Sequence, residues 1–127
     1  MGIISDRLGG APEVARPKLK TLLFSNPVFH TGLNVTCRNG FKWAESLNQV
    51  VEVRDTDETT NYGLGYISGV LTLPLNQIPE EILKFEHDPS CRTSEGIITE
   101  MRNVYGEGLK EDSPTTVLFF EFMKDIE

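Results

Sequence analysis

Leu64-Gly65-Tyr66-Ile67-Ser68-Gly69-Val70-Leu71-Thr72-Leu73 is a long, largely apolar run interrupted by glycines at 65 and 69. It predicts an extended strand. Glycine inside a strand marks a bulge or a sharp bend, the means by which a small sheet curls toward a barrel. Immediately upstream, Val50-Val51-Glu52-Val53-Arg54 reads as a second strand, and the polar stretch from Asp55 to Gly63 reads as the hairpin loop between the two. The acidic spacing of that loop lacks the central glycine and terminal glutamate of a calcium loop, so it is read as a solvated turn.

The same reading extends outward. Leu19 to Phe24, bounded by Pro17 and by Ser25-Asn26-Pro27, predicts a first strand, and Val35-Thr36-Cys37 another, followed by a turn at Asn39-Gly40. Between them, Pro27 to Gly32 has the proline-first, glycine-last pattern of one helical turn. Phe41 to Ala44 is short and amphipathic. Toward the C-terminus, Asn76 to Glu86 predicts a helix entered through Pro79, with His87 to Arg92 as a connector. A second helix runs from Thr93 through Ile97, Ile98, Met101 and Val104 to Tyr105 and ends at Gly106. Thr115 to Met123 predicts the closing strand. Short strands, tight connections and no alternation with crossover helices point to an α+β fold, a small, mostly antiparallel β-barrel with two helices packed at one end.

The chain of 127 residues is one domain's length, expected over 18–127, with residues 1–17 as a flexible N-terminal arm rich in glycine and proline. No apolar run reaches the ~20 residues of a membrane span. Met1 to Pro17 has no apolar core of a secretory signal. With only two cysteines, the expectation is a cytoplasmic protein without a disulfide framework. The formal net charge is -7, from 12 basic and 19 acidic residues. Non-specific binding of long nucleic acid depends on basic residues replacing counterions on phosphates. Long duplex DNA is therefore an unexpected partner. A nucleoside, a short RNA or a basic protein partner remains open.

Polar side chains interleave with the second strand. Asn34, Thr36 and Arg38 alternate with Val35 and Cys37, so the trio shares one face, either in solvent or in a barrel mouth. Lys42 and Trp43, the only tryptophan, follow the turn; Trp43 is placed either to stack on a base or to plug the barrel end. Glu86-His87-Asp88 is the densest titratable cluster and offers a general base with an orienting neighbour. Arg92 is a candidate clamp for a carboxylate or phosphate. Cys91, beside Arg92, is a candidate for a thiol of lowered pKa. His30, Cys37, His87 and Cys91 lack metal-ligand spacing, and no glycine-rich phosphate loop is present, so no metal or cofactor is expected.

The stretch Thr31-Gly32-Leu33-Asn34-Val35-Thr36-Cys37-Arg38, the segment from Leu83-Lys84-Phe85-Glu86-His87 to Tyr105, and the final Val117-Leu118-Phe119-Phe120-Glu121-Phe122 together resemble the ASCH domains, small PUA-like barrels related to RNA-binding modules. The resemblance covers roughly Leu19 to Met123. The family signature is G-x-K-x-x-E-x-R. Gly32 and Arg38 match its ends at a spacing one residue shorter; Asn34 stands where the lysine would be and Thr36 where the acidic residue would be. Members that hydrolyse N(4)-acetylcytidine carry threonine there and use the lysine and a helical-segment glutamate, for which Glu86 is the candidate.

The resemblance implies a nucleotide or single-stranded RNA module with a cleft beside the second strand. Asn34, Thr36 and Arg38 would supply polar contacts, with His87 also facing the ligand, Trp43 stacking, and Arg92 or Lys42 a phosphate contact. The alternative it implies is an amidohydrolase of acylated cytidines, with Thr36 as nucleophile, Glu86 as acid/base, and Lys42 or His87 replacing the lost lysine, since asparagine exchanges no proton near neutral pH. A third reading is an acidic, non-catalytic protein-interaction domain.

Overall fold

The computed structural model describes residues 19–26, 28–30 and 32–124; the arm expected over 1–17 lies outside them. Five strands form one sheet: β1 (Thr21–Phe24), β2 (Leu33–Asn39), β3 (Val50–Asp55), β4 (Asn61–Pro74) and β5 (Pro114–Lys124), in the order β1-β3-β4-β5-β2. Between β4 and β5 lie a 3₁₀ turn (Leu75–Gln77), α1 (Glu80–Leu83), a second 3₁₀ turn (Pro89–Cys91) and α2 (Ser94–Tyr105). The pairs β2–β5, β3–β4 and β4–β5 are antiparallel, whereas β1–β3 is parallel, so the α+β architecture holds and the sheet is mixed.

The glycines of β4 act as the sequence suggests. The β4–β5 register shifts between Ile67 and Gly69, a bulge that bends the strand. At Gly65 a Cβ would meet Val53, Phe120 and Val51 side chains at 3.3–3.5 Å, and at Gly69 the Phe119 ring at 3.1 Å. Their bareness lets the aromatic residues of β5 lie against the bend.

The expected barrel does not close. β1 and β2 are the two edges, and no ladder joins them among the described residues. The connector after α1 is the physical reason. The Val35 N–H donates to the Phe85 carbonyl at 2.8 Å, and the His87 N–H donates to the Val35 carbonyl at 3.0 Å. These bonds occupy the outer edge of β2, so β1 cannot pair there. A side chain spans the seam instead: Arg38 Nη1 donates to the Leu23 carbonyl of β1 at 2.8 Å.

Two apolar clusters flank β5, whose successive side chains point to opposite faces. Leu118 and Phe120 join Leu22, Phe24, Trp43, Val51, Val53 and Ile67 inside the curl. Val117 joins Val35, Cys37, Leu75, Leu83, Ile97 and Met101 beneath the helices. Both faces of β2 are buried too, Asn34 and Thr36 included, so the solvent-face reading of the polar trio is replaced by an interior one.

Two helical expectations change. Residues 28–30 are not helical. The helix expected over 76–86 reduces to a 3₁₀ turn and four residues of α1. Ile78 is extended, as a residue preceding proline tends to be. Beyond Leu83 the chain is drawn into the bridge between Val35 and Glu86. By contrast α2 has the expected limits, with the Thr93 hydroxyl accepting from the Gly96 N–H and Gly106 at its end.

Candidate functional site

A cleft of about 280 Å³ opens at the seam between the sheet edges. Leu23 to Asn26 form one wall, Thr36 to Arg38 another, Glu86 to Asp88 with Cys91 a third, and α2 covers it through Ile97, Glu100, Met101, Val104 and Tyr105. Two of the predicted clusters, from β2 and from the connector, therefore meet in one place despite fifty residues of separation.

Arg38 is the hub. Besides its bond across the seam, its Nε donates to Thr36 Oγ1 at 3.3 Å, and its guanidinium carbon lies 4.7 Å from the Phe24 ring centre. Burial pulls the guanidinium below its ordinary value, with Tyr105 and Glu86 acting in the opposite sense. It stays charged, since arginine starts so high.

Glu86 is 2% exposed. Burial raises its carboxyl to about 8, against the smaller opposing effects of the Asp88 N–H, which donates to Oε1 at 3.0 Å, and of Arg38. At pH 7 it is mainly protonated, a group that both donates and accepts. His87 moves the other way: burial, then the Arg38 charge, lowers it to about 4. Its Nδ1 lies 3.2 Å from the Val28 carbonyl, which only accepts, so the neutral ring carries its hydrogen on Nδ1 and leaves Nε2 as an acceptor. Nε2 and Glu86 Oε1 are 3.7 Å apart. With the acid protonated and the imidazole neutral, this contact is not an ion pair at pH 7.

The other predicted residues are placed differently. Asn34, fully buried, holds its own loop: Oδ1 accepts from the His30 N–H at 3.1 Å, and Nδ2 donates to the carbonyls of His30 at 2.8 Å and Gly32 at 3.3 Å. It does not line the cleft. Arg92 donates from Nε to the Glu86 carbonyl at 2.8 Å, bracing the connector. Trp43 belongs to the core inside the curl, with one surface on a second hollow that also carries Lys42. The Cys91 expectation is corrected: burial raises its thiol well above the ordinary value, as it does for Cys37, so neither is a thiolate at neutral pH. Among the described residues no group of His, Cys, Asp and Glu is arranged to hold a metal. No described helix is long and apolar enough to cross a membrane.

Sequence reading missed Phe24 and Tyr105, both on the cleft wall. Phe24 read as core strand and Tyr105 as a helix end. The one available signal for Tyr105 was a large aromatic next to a terminating glycine, and it is 45% exposed.

No protein-family model and no curated protein matches the chain. Solved structures similar in fold include the following two. One is a DUF984 protein from Enterococcus faecalis V583, with TM-score 0.54 and 14% identity over 72% of this chain and 61% of that one. The other is an ASCH domain from Lactobacillus crispatus JV V101, with TM-score 0.56 and 12% identity over 72% of this chain and 65% of that one. Each match spans less than two thirds of the other chain. At such identity the likeness is one of fold, and the fold is ASCH-like.

Proposed function

We propose that the protein is a binding module for a single nucleobase, presented on a nucleoside, a nucleotide or a short single-stranded RNA, and that the seam cleft is the site. One observation carries the reading: the charged Arg38 guanidinium and the neutral Glu86 carboxyl border one ring-sized, largely apolar cleft. A protonated carboxyl offers a donor beside an acceptor, which suits the amide or amidine edge of a base. Arg38 offers further N–H donors to a ring carbonyl, and the Phe24 and Tyr105 rings offer apolar surface. The ASCH neighbour supports the reading at the level of fold.

A second reading, hydrolysis of an N(4)-acylated cytidine, is favoured by one observation: Thr36 and Glu86 line the same cleft. Among the described residues no lysine lines it, and Lys42 sits in the second hollow. Glu86 would have to activate Thr36 as a carboxylate, so turnover would rise as pH passes about 8.

The test is calorimetric titration of the full chain with the four ribonucleosides and N(4)-acetylcytidine, with ultraviolet absorbance followed for deacylation. Binding of at least one nucleoside, weakened about tenfold or more by Arg38→Met, is the expected result. Because Arg38 also spans the seam, Tyr105→Ala at an exposed position is the companion variant. No heat and no thermal shift with any nucleoside would overturn the binding reading. Deacylation abolished by Thr36→Ala would replace it with the enzymatic one.

A further inference from the structure

A second hollow of about 250 Å³ lies across Arg38 from the seam cleft. The two share Leu23, Arg38 and Tyr105, so they are halves of one trough divided by the guanidinium. Their charges differ. Asp88 and Glu100 line the first beside the mainly neutral Glu86; among the described residues no carboxylate lines the second, which has Arg38, Lys42 and Asn39. Lys20 adds its ammonium 5.6 Å from the centre of the Trp43 ring, which also faces this hollow. Three of the 12 basic residues of a chain with net charge -7 thus gather at one place. Arg38 commits two donors, one to Leu23 and one to Thr36, among the described residues. A guanidinium has five.

We propose that the second hollow is a phosphate subsite, so that the ligand is a phosphorylated nucleotide whose base enters the seam cleft and whose phosphate crosses Arg38 to meet Lys42. The proposal rests on the base-binding reading of the first cleft and names the ligand class it takes. A phosphate is repelled by the acid-lined half and attracted by the basic half, so the charge pattern also fixes its direction along the trough. Arg92, engaged on the Glu86 carbonyl, lines neither hollow and takes no part. The phosphate comes either from a free mononucleotide or from the backbone of a strand; the chemistry at Arg38 and Lys42 is the same.

Trp43, the only tryptophan, lines the proposed subsite and reports its occupancy. The full chain is titrated with nucleosides, their 5′- and 3′-monophosphates, trinucleotides and inorganic phosphate, reading both heat and Trp43 emission. For a base that binds, one monophosphate is expected to bind about tenfold more tightly than its nucleoside, as one charge-assisted contact allows. Phosphate-bearing ligands should change Trp43 emission more than the nucleoside does. Lys42→Ala should erase the affinity gain, and Lys110→Ala, at an exposed residue that lines neither hollow, should keep it. A trinucleotide tighter than the mononucleotide supports the subsite and identifies a strand; equal affinity supports it and identifies a free nucleotide. Nucleoside binding with no phosphate gain overturns this proposal and leaves the base pocket standing. Absence of nucleoside binding, with a Lys42-dependent phosphate response of Trp43, overturns the base pocket and keeps the subsite. Silence in both readouts overturns both.

Discussion

Glu86 and His87 are neighbours whose acidities move in opposite directions for the same reason, removal from water, which penalises whichever form is charged. The consequence for stability can be signed. Glu86 is raised from 4.5 to about 8, so between those values the unfolded chain has released a proton that the folded chain retains, and stability falls as pH rises. His87 is lowered from 6.5 to about 4, so its contribution is lost as pH falls from 6.5 toward 4. The two oppose each other at mildly acidic pH, and above 6.5 only Glu86 of the pair still titrates. Thermal melts should therefore show stability declining from about pH 6.5 to 8, and Glu86→Gln should flatten that decline. An unchanged slope in the variant would mean that Glu86 ionises normally. Asn34 makes a separate residue-scale case. Its side chain has three hydrogen bonds and no exposure, so Asn34→Ala should cost about 1–3 kcal/mol in chemical denaturation. Asn34→Lys, which places the lysine of the ASCH signature at this position, should destabilise further and confer no deacylation, because the position does not line the cleft. Deacylation gained by that variant would refute this placement.

At the scale of elements, the cleft depends on how closely α2 approaches the connector. A Cβ on Gly96 would overlap the Ser90 carbonyl oxygen, so no other residue fits without moving the helix. Gly96→Ala should destabilise by about 1–3 kcal/mol and, by displacing Met101 and Tyr105, weaken ligand binding; a variant of unchanged stability and affinity would show that the contact is yielding. What was legible in the sequence follows from the range of the interactions. The limits of α2 could be read because its cap and its terminating glycine act within a few residues. So could the β4 bend, because glycine spacing is local. The shortness of α1 could not. It ends where Phe85 and His87 bond to Val35, a partner some fifty residues away that no window along the chain reveals. The open seam escaped for the same reason, since it exists because that bond occupies the β2 edge. The site was legible in part. Thr36 and Arg38 stood out as polar groups on an apolar strand, and Glu86 and His87 as a titratable cluster at the end of a predicted helix, and the four do meet, whereas Phe24 and Tyr105 were indistinguishable from ordinary apolar residues.

Among the described residues basic charge gathers at the second hollow of a chain that is acidic in total, and this sets how the protein can meet a polyanion. Each phosphate neutralised on a single strand contributes about −0.7 to the slope of log affinity against log salt. The second hollow and its border supply Lys20, Arg38 and Lys42, while the net charge of -7 repels a strand elsewhere. Contact with at most about three phosphates gives a slope no steeper than about −2. Lengthening an oligonucleotide beyond about three residues should therefore add little affinity, since further phosphates would meet an acidic surface. Lys42→Ala should reduce the slope by about 0.7, the share of one phosphate. Fluorescence titration of Trp43 with oligonucleotides of increasing length, at several salt concentrations, measures all three. A slope of −4 or steeper, or affinity that climbs steadily with length, would require a second basic track along the surface. A shallow slope that Lys42→Ala leaves unchanged would move the phosphate contact elsewhere. The expected combination, shallow and Lys42-dependent, marks a protein that recognises one nucleotide at a seam in its sheet without following a strand.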